Sequence, residues 1–420
     1  MTSNFYDFTP RILFIDMNSF FASVEQQERP ALRNSPLIVA PMLSDTTCAI
    51  SVSYQARIFG IKTGTSVREA KQLCPHIQVI AARPRKYVEY CRKIVELLHY
   101  YFVTIEELSV DEMACVLPPS KRSIESATIL GERVKTHIKQ SLGEALRCSI
   151  GIAPNVFLAK VASDFKKPDG LTLFVGDYTD KLFSLSLTDL PGIAKRNEQR
   201  LQGFGIYTVK DLWEAELSTL RSVWGGTVGE RWHYMLRGNL QIDYGVHSDA
   251  PKKSVSHSHV LAPELRTIQG ARDMLLRLAE KALKRLRAYN QIAKTISCRI
   301  SFRHVRSWED KRAWEMKHSY PVYANDDLCW LPIIDSYSGE IKMGDDFRPV
   351  KASVCFYDLQ SKDNEQLSLF EDRSKYTKLF KLIDSVKEKT GCEVHVAQVL
   401  NLQEHAPFRI SFGKTGGGNV

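Results

Sequence analysis

Ile12-Leu13-Phe14-Ile15 is an unbroken apolar run that stops at a carboxylate, Asp16, and within a few residues the chain adopts a helical pattern from Phe20 to Gln27. Four apolar residues without alternation suit a strand buried on both faces. Asn18 and Ser19 are residue types that cap a helix start. Asp16 is therefore held at a rigid strand end. By itself it could merely begin a turn; a second acidic site at another strand end would make it half of a cation site.

Residues Ile105 to Leu117 supply that second site, because two strand-like apolar runs flank the adjacent acids Asp111 and Glu112. Neighbouring residues on a strand point to opposite faces, so both acids reach one point only if the backbone turns there. Three carboxylates from two strands could hold two Mg2+ ions, which prefer oxygen ligands and complete their shells with water and phosphate. Such a pair, about 3.5–4 Å apart, activates an attacking oxygen and neutralises a leaving one in phosphoryl transfer. The alternative is a solvated acidic hairpin, against which the apolar flanks count.

The elements around these acids follow an order. A helix from Tyr87 to Tyr101 carries the stripe Val88, Cys91, Ile94, Val95, Leu98 and Tyr101; a second spans Ile124 to Leu142, and a strand runs from Arg147 to Ile152. With the two acidic strands this reads strand, helix, strand, strand, helix, strand, the split βαβ (ferredoxin-like) pattern, interrupted after its first strand by residues 21 to 85. The insertion makes a small lobe, with short strands at 36–40 and 46–52 and a helix from Ser66 to Leu73. Within it Tyr54 and Arg57 stand three apart, on one face if helical; they suit either a nucleotide triphosphate or an exposed amphipathic turn. A helix from Pro154 to Phe165 ends in Lys166-Lys167-Pro168-Asp169-Gly170, where Lys167 either reaches phosphates or serves as a cation at a helix C-terminus.

Charge is concentrated further on. The 420-residue chain carries a formal +9, yet Lys252 to Lys317 alone hold 16 Lys and Arg against 6 Asp and Glu, a net of +10, leaving −1 elsewhere. A long helix from Ile268 to Tyr289 carries Arg272, Arg277, Lys281, Lys284, Arg285 and Arg287, and a strand from Thr295 to Phe302 follows. Basic residues on one helix or sheet face would grip a nucleic-acid backbone without reading sequence; the alternative is a solvated surface. Upstream, Asp189 to Ile206 reads as two short helices joined by glycine turns, either a plain helical hairpin or a phosphate-binding turn built on Pro191-Gly192-Ile193. The chain's length calls for two to four domains. Nine scattered cysteines lack a Cys-x-x-Cys pair, the start carries Asn4, Tyr6 and Asp7 instead of a signal pattern, and no run approaches a membrane span. A reducing cytoplasm and no membrane partner are expected.

Five pieces in order resemble the Y-family DNA polymerases, the translesion enzymes, and most closely their UmuC-like branch, to which the catalytic subunit of bacterial DNA polymerase V belongs. They are Phe14-Ile15-Asp16-Met17-Asn18-Ser19-Phe20-Phe21, Ser53-Tyr54-Gln55-Ala56-Arg57-Ile58-Phe59-Gly60, Ser109-Val110-Asp111-Glu112, Ser149-Ile150-Gly151-Ile152-Ala153 through Lys167-Pro168-Asp169-Gly170, and Leu190-Pro191-Gly192-Ile193. The resemblance implies an α+β multidomain protein. Its palm covers 1–20 and 86–174, its fingers 21–85, a helical thumb with a helix-hairpin-helix 175–240, and an α/β little finger 252–358. A C-terminal segment follows from 359 to 420.

By the same resemblance Asp16, Asp111 and Glu112 are catalytic and, with the Met17 carbonyl, hold two Mg2+ ions, for which Mn2+ can substitute. Tyr54, Arg57 and Lys167 hold the triphosphate, Phe20 and Ser51 line the nucleotide, and Phe21 is the steric gate under the sugar. Pro191, Gly192, Ile193 and Lys195 of the thumb, with Lys252, Lys253, Arg299 and Arg303, contact DNA. Gln366-Leu367-Ser368-Leu369-Phe370 looks like the bacterial sliding-clamp binding motif. Expected partners are primer-template DNA, deoxynucleoside triphosphates and the clamp, with a UmuD-like accessory subunit and a recombinase filament implied by the UmuC-like branch. Asn18 departs from the pattern, since many relatives carry a second acid there, and the ending beyond Phe370 does not match polymerase V subunits.

The function expected is low-fidelity, non-proofreading DNA synthesis across damaged template by two-metal nucleotidyl transfer. A nucleotide cyclase can also place two acids on a split βαβ palm, but the thumb turn and the basic region count against it. A catalytically silent scaffold that binds DNA and clamp is the other rival, and the presence of all three acids counts against that.

Overall fold

The structure is a computed structural model of the chain and describes residues 8–45, 47–239, 252–307, 309–365 and 374–390. It divides into two units, one carrying the described residues up to 239 and the other those from 252 onward. Among the described residues no helix is long and apolar enough to cross a membrane. The clamp-like motif at 366–370 and the chain after 390 lie outside the described residues.

The first unit opens with β1 (Ile12–Met17) and α1 (Phe20–Glu28). The inserted lobe contributes β2 (Leu37–Ala40), β3 (Ser51–Val52), α2 (Tyr54–Arg57), α3 (Val67–Leu73) and β4 (Gln78–Ala81). Then come α4 (Pro84–Leu98), β5 (Ile105–Glu107), β6 (Glu112–Val116), α5 (Ile124–Leu142), β7 (Cys148–Ala153), α6 (Val156–Phe165) and β8 (Leu171–Leu173). The palm sheet has the order β5-β6-β1-β7-β8; β1 is antiparallel to β6 and β7, and β8 is parallel to β7. The first strand of the split βαβ unit thus lies between its third and fourth.

Alternation along β1 decides what each face meets. Leu13 and Ile15 join a core with α4 and α5, while Phe14 joins another with α6. Asp16 shares the parity of Phe14, and Glu112 that of Ala114, which packs in the same α6 core. Both acids therefore leave the sheet on the α6 side. Helix α6 lies unusually close to the sheet there: a Cβ on Gly151 would sit 1.9 Å from the Ala159 carbonyl oxygen and 2.4 Å from the Ser163 nitrogen. Gly151→Ala should therefore push α6 off β7 and cost about 1–3 kcal/mol of stability, read as a lower denaturation midpoint with an unchanged slope.

Three local expectations are corrected. Of the strand expected at 46–52, the described residues 47–52 form one only at Ser51–Val52; ahead of it Cys48 makes an isolated bridge to Ser66, and Ala49 N–H donates to the Thr65 carbonyl at 2.8 Å. The helix expected from Tyr87 to Tyr101 is α4, Pro84–Leu98: proline at the first turn has the φ a helix start needs. Neither Asn18 nor Ser19 caps α1, because Ser19 has φ 46° with no side-chain cap bond and the Asn18 side chain is engaged elsewhere.

The thumb helices are α7 (Thr179–Phe183), α8 (Lys195–Gln202), α9 (Val209–Glu214), α10 (Leu217–Trp224) and α11 (Thr227–Leu236). Their apolar faces, with Leu182, Leu201, Leu212, Leu220 and Trp232, share the core that includes Phe157 and Val161 of α6.

The second unit holds β9 (Ser254–Val260), α12 (Ile268–Ala288), β10 (Gln291–His304), β11 (Lys311–Ala324), α13 (Asp327–Gly339), β12 (Phe347–Ser361) and α14 (Ser374–Thr390). Its antiparallel sheet has the order β11-β10-β12-β9, and its inward residues Ile296, Cys298, Ile300, Val354 and Phe356 share a core with α12 and α13. The cations of α12 are largely committed to internal pairs. Arg277 is buried against Glu280, Arg272 reaches Asp335 at 3.2 Å, and Arg287 pairs with Asp327 at 2.9 Å and with Asp384 of α14 at 2.7 Å. Three of the six α12 cations are thus spent on acids of their own unit. The eight cysteines among the described residues are free thiols, six of them buried.

Candidate active site

Asp16 stands directly opposite Glu112 in the β1–β6 register, which puts the two side chains on the same face. Asp111 precedes β6 in the bend that the sequence required. There the Glu112 carbonyl accepts from the N–H groups of Leu108 and Ser109 at 2.9 and 3.2 Å, and the Asp111 carbonyl accepts from Met17 N–H at 2.9 Å. The Ser109 hydroxyl donates to Asp111 Oδ1 at 2.5 Å. Burial raises the Asp111 carboxyl above the ordinary aspartate range, and the charges of Asp16 and Glu112 add to the shift against the Ser109 hydrogen bond. Three acids thus gather at one strand end, with buried Met17 beside them.

Two lysines close on these carboxylates. Lys160 of α6 lies 2.5 Å from Asp16 Oδ2, 2.8 Å from Glu112 Oε1 and 3.1 Å from Asp164 Oδ2. Lys167 lies 2.7 Å from Asp16 Oδ2 and 2.7 Å from Asp164 Oδ1. Burial pulls both ammoniums down, but the carboxylates outweigh it and both stay above the usual lysine value, Asp16 being the largest contributor. Among the described residues no three His, Cys, Asp or Glu side chains are arranged to hold a metal ion, since Asp16 and Glu112 point at ammonium instead. The chemistry of the donors nevertheless fits a hard divalent cation, all being carboxylate or carbonyl oxygen gathered where charge must be neutralised.

Asn18 organises the same corner. Its Oδ1 accepts from the Asp169 N–H at 2.8 Å and its Nδ2 donates to Ser149 Oγ at 2.9 Å, tying the end of β1 to β7 and to the turn that carries Lys167. An amide serves where a carboxylate would not, because the position needs a donor and an acceptor together.

The lobe brings Tyr54 and Arg57 to this corner. On α2 the Arg57 guanidinium lies 5.2 Å from the Tyr54 ring centroid, and Arg57 Nη2 donates to Ser19 Oγ at 3.4 Å. Burial raises the Tyr54 phenol; the charges of Arg57 and Lys167 lower it and that of Asp16 raises it, which places all four within electrostatic reach. Ser51 Oγ accepts from the Ala22 N–H at 3.2 Å and so anchors α1 to the lobe. Phe20 is buried at 2 % exposure; Phe21, at 7 %, stacks on Tyr87 with centroids 4.3 Å apart and planes 13° from parallel. Tyr87 is itself fixed, its hydroxyl donating to Glu25 Oε1 at 2.9 Å, while Arg83 forks onto the fully buried Glu25 carboxylate at 2.9 and 2.7 Å.

The other expected residues lie on the thumb and on or beside the sheet of the second unit. In the thumb Gly192 has φ +96°, Ile193 is buried, the Gly192 carbonyl accepts from Asn197 Nδ2 at 2.9 Å, and exposed Lys195 opens α8. In the second unit the outward face of the sheet bears Ser254, Ser256 and Ser258 on β9, Lys351 and Ser353 on β12, and Ser297, Arg299, Ser301 and Arg303 on β10. Hydroxyls and cations of this kind contact phosphates. Arg299 pairs with Glu315 across the sheet, the Lys252 ammonium lies over the Tyr289 ring, and Lys253 is exposed.

Lys160, Asp164, Glu25 and Arg83 escaped sequence reasoning. Lys160, Asp164 and Lys167 do carry a signal, the spacing i, i+4, i+7 that sets charges on one side of an otherwise apolar helix. Glu25 and Arg83 are 58 residues apart and carry none.

Similarity to known proteins agrees with this geometry. Residues 15–164 match the impB/mucB/samB family, residues 252–369 match that family's C-terminal domain, and residues 188–239 match a thumb domain described from DNA polymerase-iota. The chain is 32% identical over 298 residues to a DNA polymerase IV of Xanthomonas axonopodis pv. citri, covering 70% of this chain and 81% of that protein. It is 34% identical over 294 residues to a DNA polymerase IV of Moorella thermoacetica, covering 68% and 72%. A solved Y-family DNA polymerase chimera, Dbh-Dpo4(243-245)-Dbh, shares the fold with a TM-score of 0.67 at 21% identity, across 84% of this chain and 99% of that one. A split βαβ palm with acids at its strand ends, an inserted lobe, a helical thumb and a separate four-stranded unit, matched along most of its length by these relatives, make this chain a member of the Y family of DNA polymerases.

Proposed function

We propose that this DNA-directed DNA polymerase works as a translesion enzyme of low fidelity, without proofreading, and that Asp16, Asp111 and Glu112 hold two Mg2+ ions, for which Mn2+ can substitute. The observation that carries the reading is the convergence of the three acids at one end of β1 and β6, with Asp16 and Glu112 on the side of α6 and Asp111 in the bend beside them. The family uses divalent metal ions. Bound by these carboxylates and the Met17 carbonyl, they would lower the pKa of the primer 3′-hydroxyl and neutralise charge on the departing pyrophosphate.

The chain's own residues do the rest. Lys167, Arg57 and Tyr54 form a polar rim beside Asp16 that receives the triphosphate, with Lys167 exchanging its carboxylate partners for phosphate oxygens. Phe21, held flat on Tyr87, walls the sugar. The thumb turn and the hydroxyl and cation face of the second unit hold DNA by its backbone, a contact indifferent to base damage. A lobe of only a few short elements encloses little of the nascent pair, which supports low fidelity. Leu367, Leu369 and Phe370 are apolar anchors for a sliding clamp, with Gln366 and Ser368 completing the motif; tethering to a ring would offset weak backbone binding by local concentration. Free thiols fit a cytoplasmic setting.

Primer extension by the full chain on undamaged and abasic templates, with Mg2+ and with or without loaded clamp, tests this. Extension past the abasic site, stimulated by clamp in the parent and unstimulated in a Leu369→Ala, Phe370→Ala variant, is the expected result. DNA binding without any extension would identify the polymerase-like scaffold instead.

A further inference from the structure

We propose that Lys160 is the resident counter-ion of the catalytic carboxylates, holding Asp16 and Glu112 together until a divalent ion displaces it, and so setting how tightly metal binds before a nucleotide arrives. The inference rests on the metal reading of Asp16, Asp111 and Glu112. An ammonium has three N–H groups, and Lys160 directs them at three different carboxylates, Asp16 at 2.5 Å, Glu112 at 2.8 Å and Asp164 at 3.1 Å. Two of these are acids that a metal requires.

The placement of Lys160 is rigid. Its side chain is 14% exposed against 31% for Lys167, and its Nζ lies 5.5 Å from the Phe14 ring centroid on the strand below. It projects from a helix seated against bare Gly151, whereas Lys167 stands on the turn beyond that helix. Asp16, Asp111, Glu112 and Asp164 are four carboxylates against two ammoniums, and because both lysines sit on Asp16 Oδ2 a divalent ion that binds that oxygen must displace a lysine. A triphosphate offers the displaced cations new partners, which couples metal binding to nucleotide binding, and the coupling is reciprocal.

The test is Mn2+ binding to the full chain without nucleotide, followed by the spectrum of free Mn2+. Lys160→Met should bind at least about tenfold more tightly than the parent, as expected for removing a unit charge a few ångströms from the ion. Lys160→Arg, which keeps the charge, should stay near the parent. In thermal unfolding with EDTA, Lys160→Met should melt below the parent, and Mn2+ should close the gap. Equal Mn2+ affinity of Lys160→Met and parent overturns the proposal, provided that Asp111→Asn abolishes binding in both; if Asp111→Asn changes nothing in either, the metal reading itself falls. If Lys160→Met folds only with Mn2+, the metal has replaced the lysine and the proposal stands. If it and Lys160→Gln stay unfolded even with Mn2+, Lys160 is a structural cation that no metal replaces, and the proposal is wrong.

Discussion

Asp111→Ala and Glu112→Ala are each expected to slow primer extension by at least about a thousandfold, the scale of removing one ligand from a charge-stabilising metal site, while duplex affinity changes by no more than about twofold. The asymmetry follows from where the acids sit. Asp111 is in the bend before β6 and Glu112 at its first residue, both beside Asp16 in the palm, whereas the expected DNA contacts are on the thumb turn and on the sheet of the second unit. Asp111 is the cleaner variant, because it bonds to Ser109 and to the backbone of Met17 and pairs with neither lysine. Asp16→Ala would be less informative: it also strips Lys160 and Lys167 of a shared partner and leaves two cations facing each other. Single-turnover incorporation at saturating nucleotide, beside anisotropy on labelled primer-template, separates the effects. Parental extension by either alanine variant would remove the acids from the mechanism.

The second large effect concerns sugar choice. Phe21→Ala should raise ribonucleotide relative to deoxynucleotide incorporation by at least about a hundredfold, the order by which a steric wall that cannot move discriminates. The wall cannot move because each layer behind it is fixed: the Phe21 ring lies 4.3 Å from that of Tyr87, and the Tyr87 hydroxyl and the Arg83 fork both end on buried Glu25. Burial pushes the Tyr87 phenol well above the usual tyrosine value, so it remains a neutral donor to that carboxylate at any working pH. The truncation also opens a cavity worth about 3–5 kcal/mol, so Phe21→Val is the companion variant, expected to show a smaller shift in the same direction. A ratio of ribo- to deoxynucleotide use equal to that of the parent in both variants would take Phe21 away from the sugar.

What the sequence made legible was local. Helix α5 runs from Ile124 to Leu142 as its pattern and caps require: the Ser123 hydroxyl accepts from the Ser126 N–H, and Gly143 at φ +119° ends it. The Asp111 bend was readable because two adjacent acids between apolar strands have no other way to share a site. Pairing at a distance was not readable. Asn18 looked like a cap and instead joins β1 to residues 131 and 151 positions away. The basic stretch looked like one binding face, but Arg277 and Arg287 on α12 are spent on Glu280, Asp327 and Asp384. A charge count cannot separate a cation that faces solvent from one that faces a buried acid. Lys160 was hidden for the same reason: its spacing with Asp164 was visible, but its partners on two strands were not.

Strand β2 carries a consequence for motion. Its four residues are fully buried and serve two cores in alternation, Ile38 and Ala40 packing inside the lobe and Leu37 and Val39 inside the palm. Swinging the lobe away from the palm would expose at least Leu37 and Val39 to water, at a cost of about 3–6 kcal/mol. An opened form would then be populated in roughly one molecule in 150 to one in 20,000. The seam thus favours a lobe already set against the palm over one that swings shut on each incoming nucleotide.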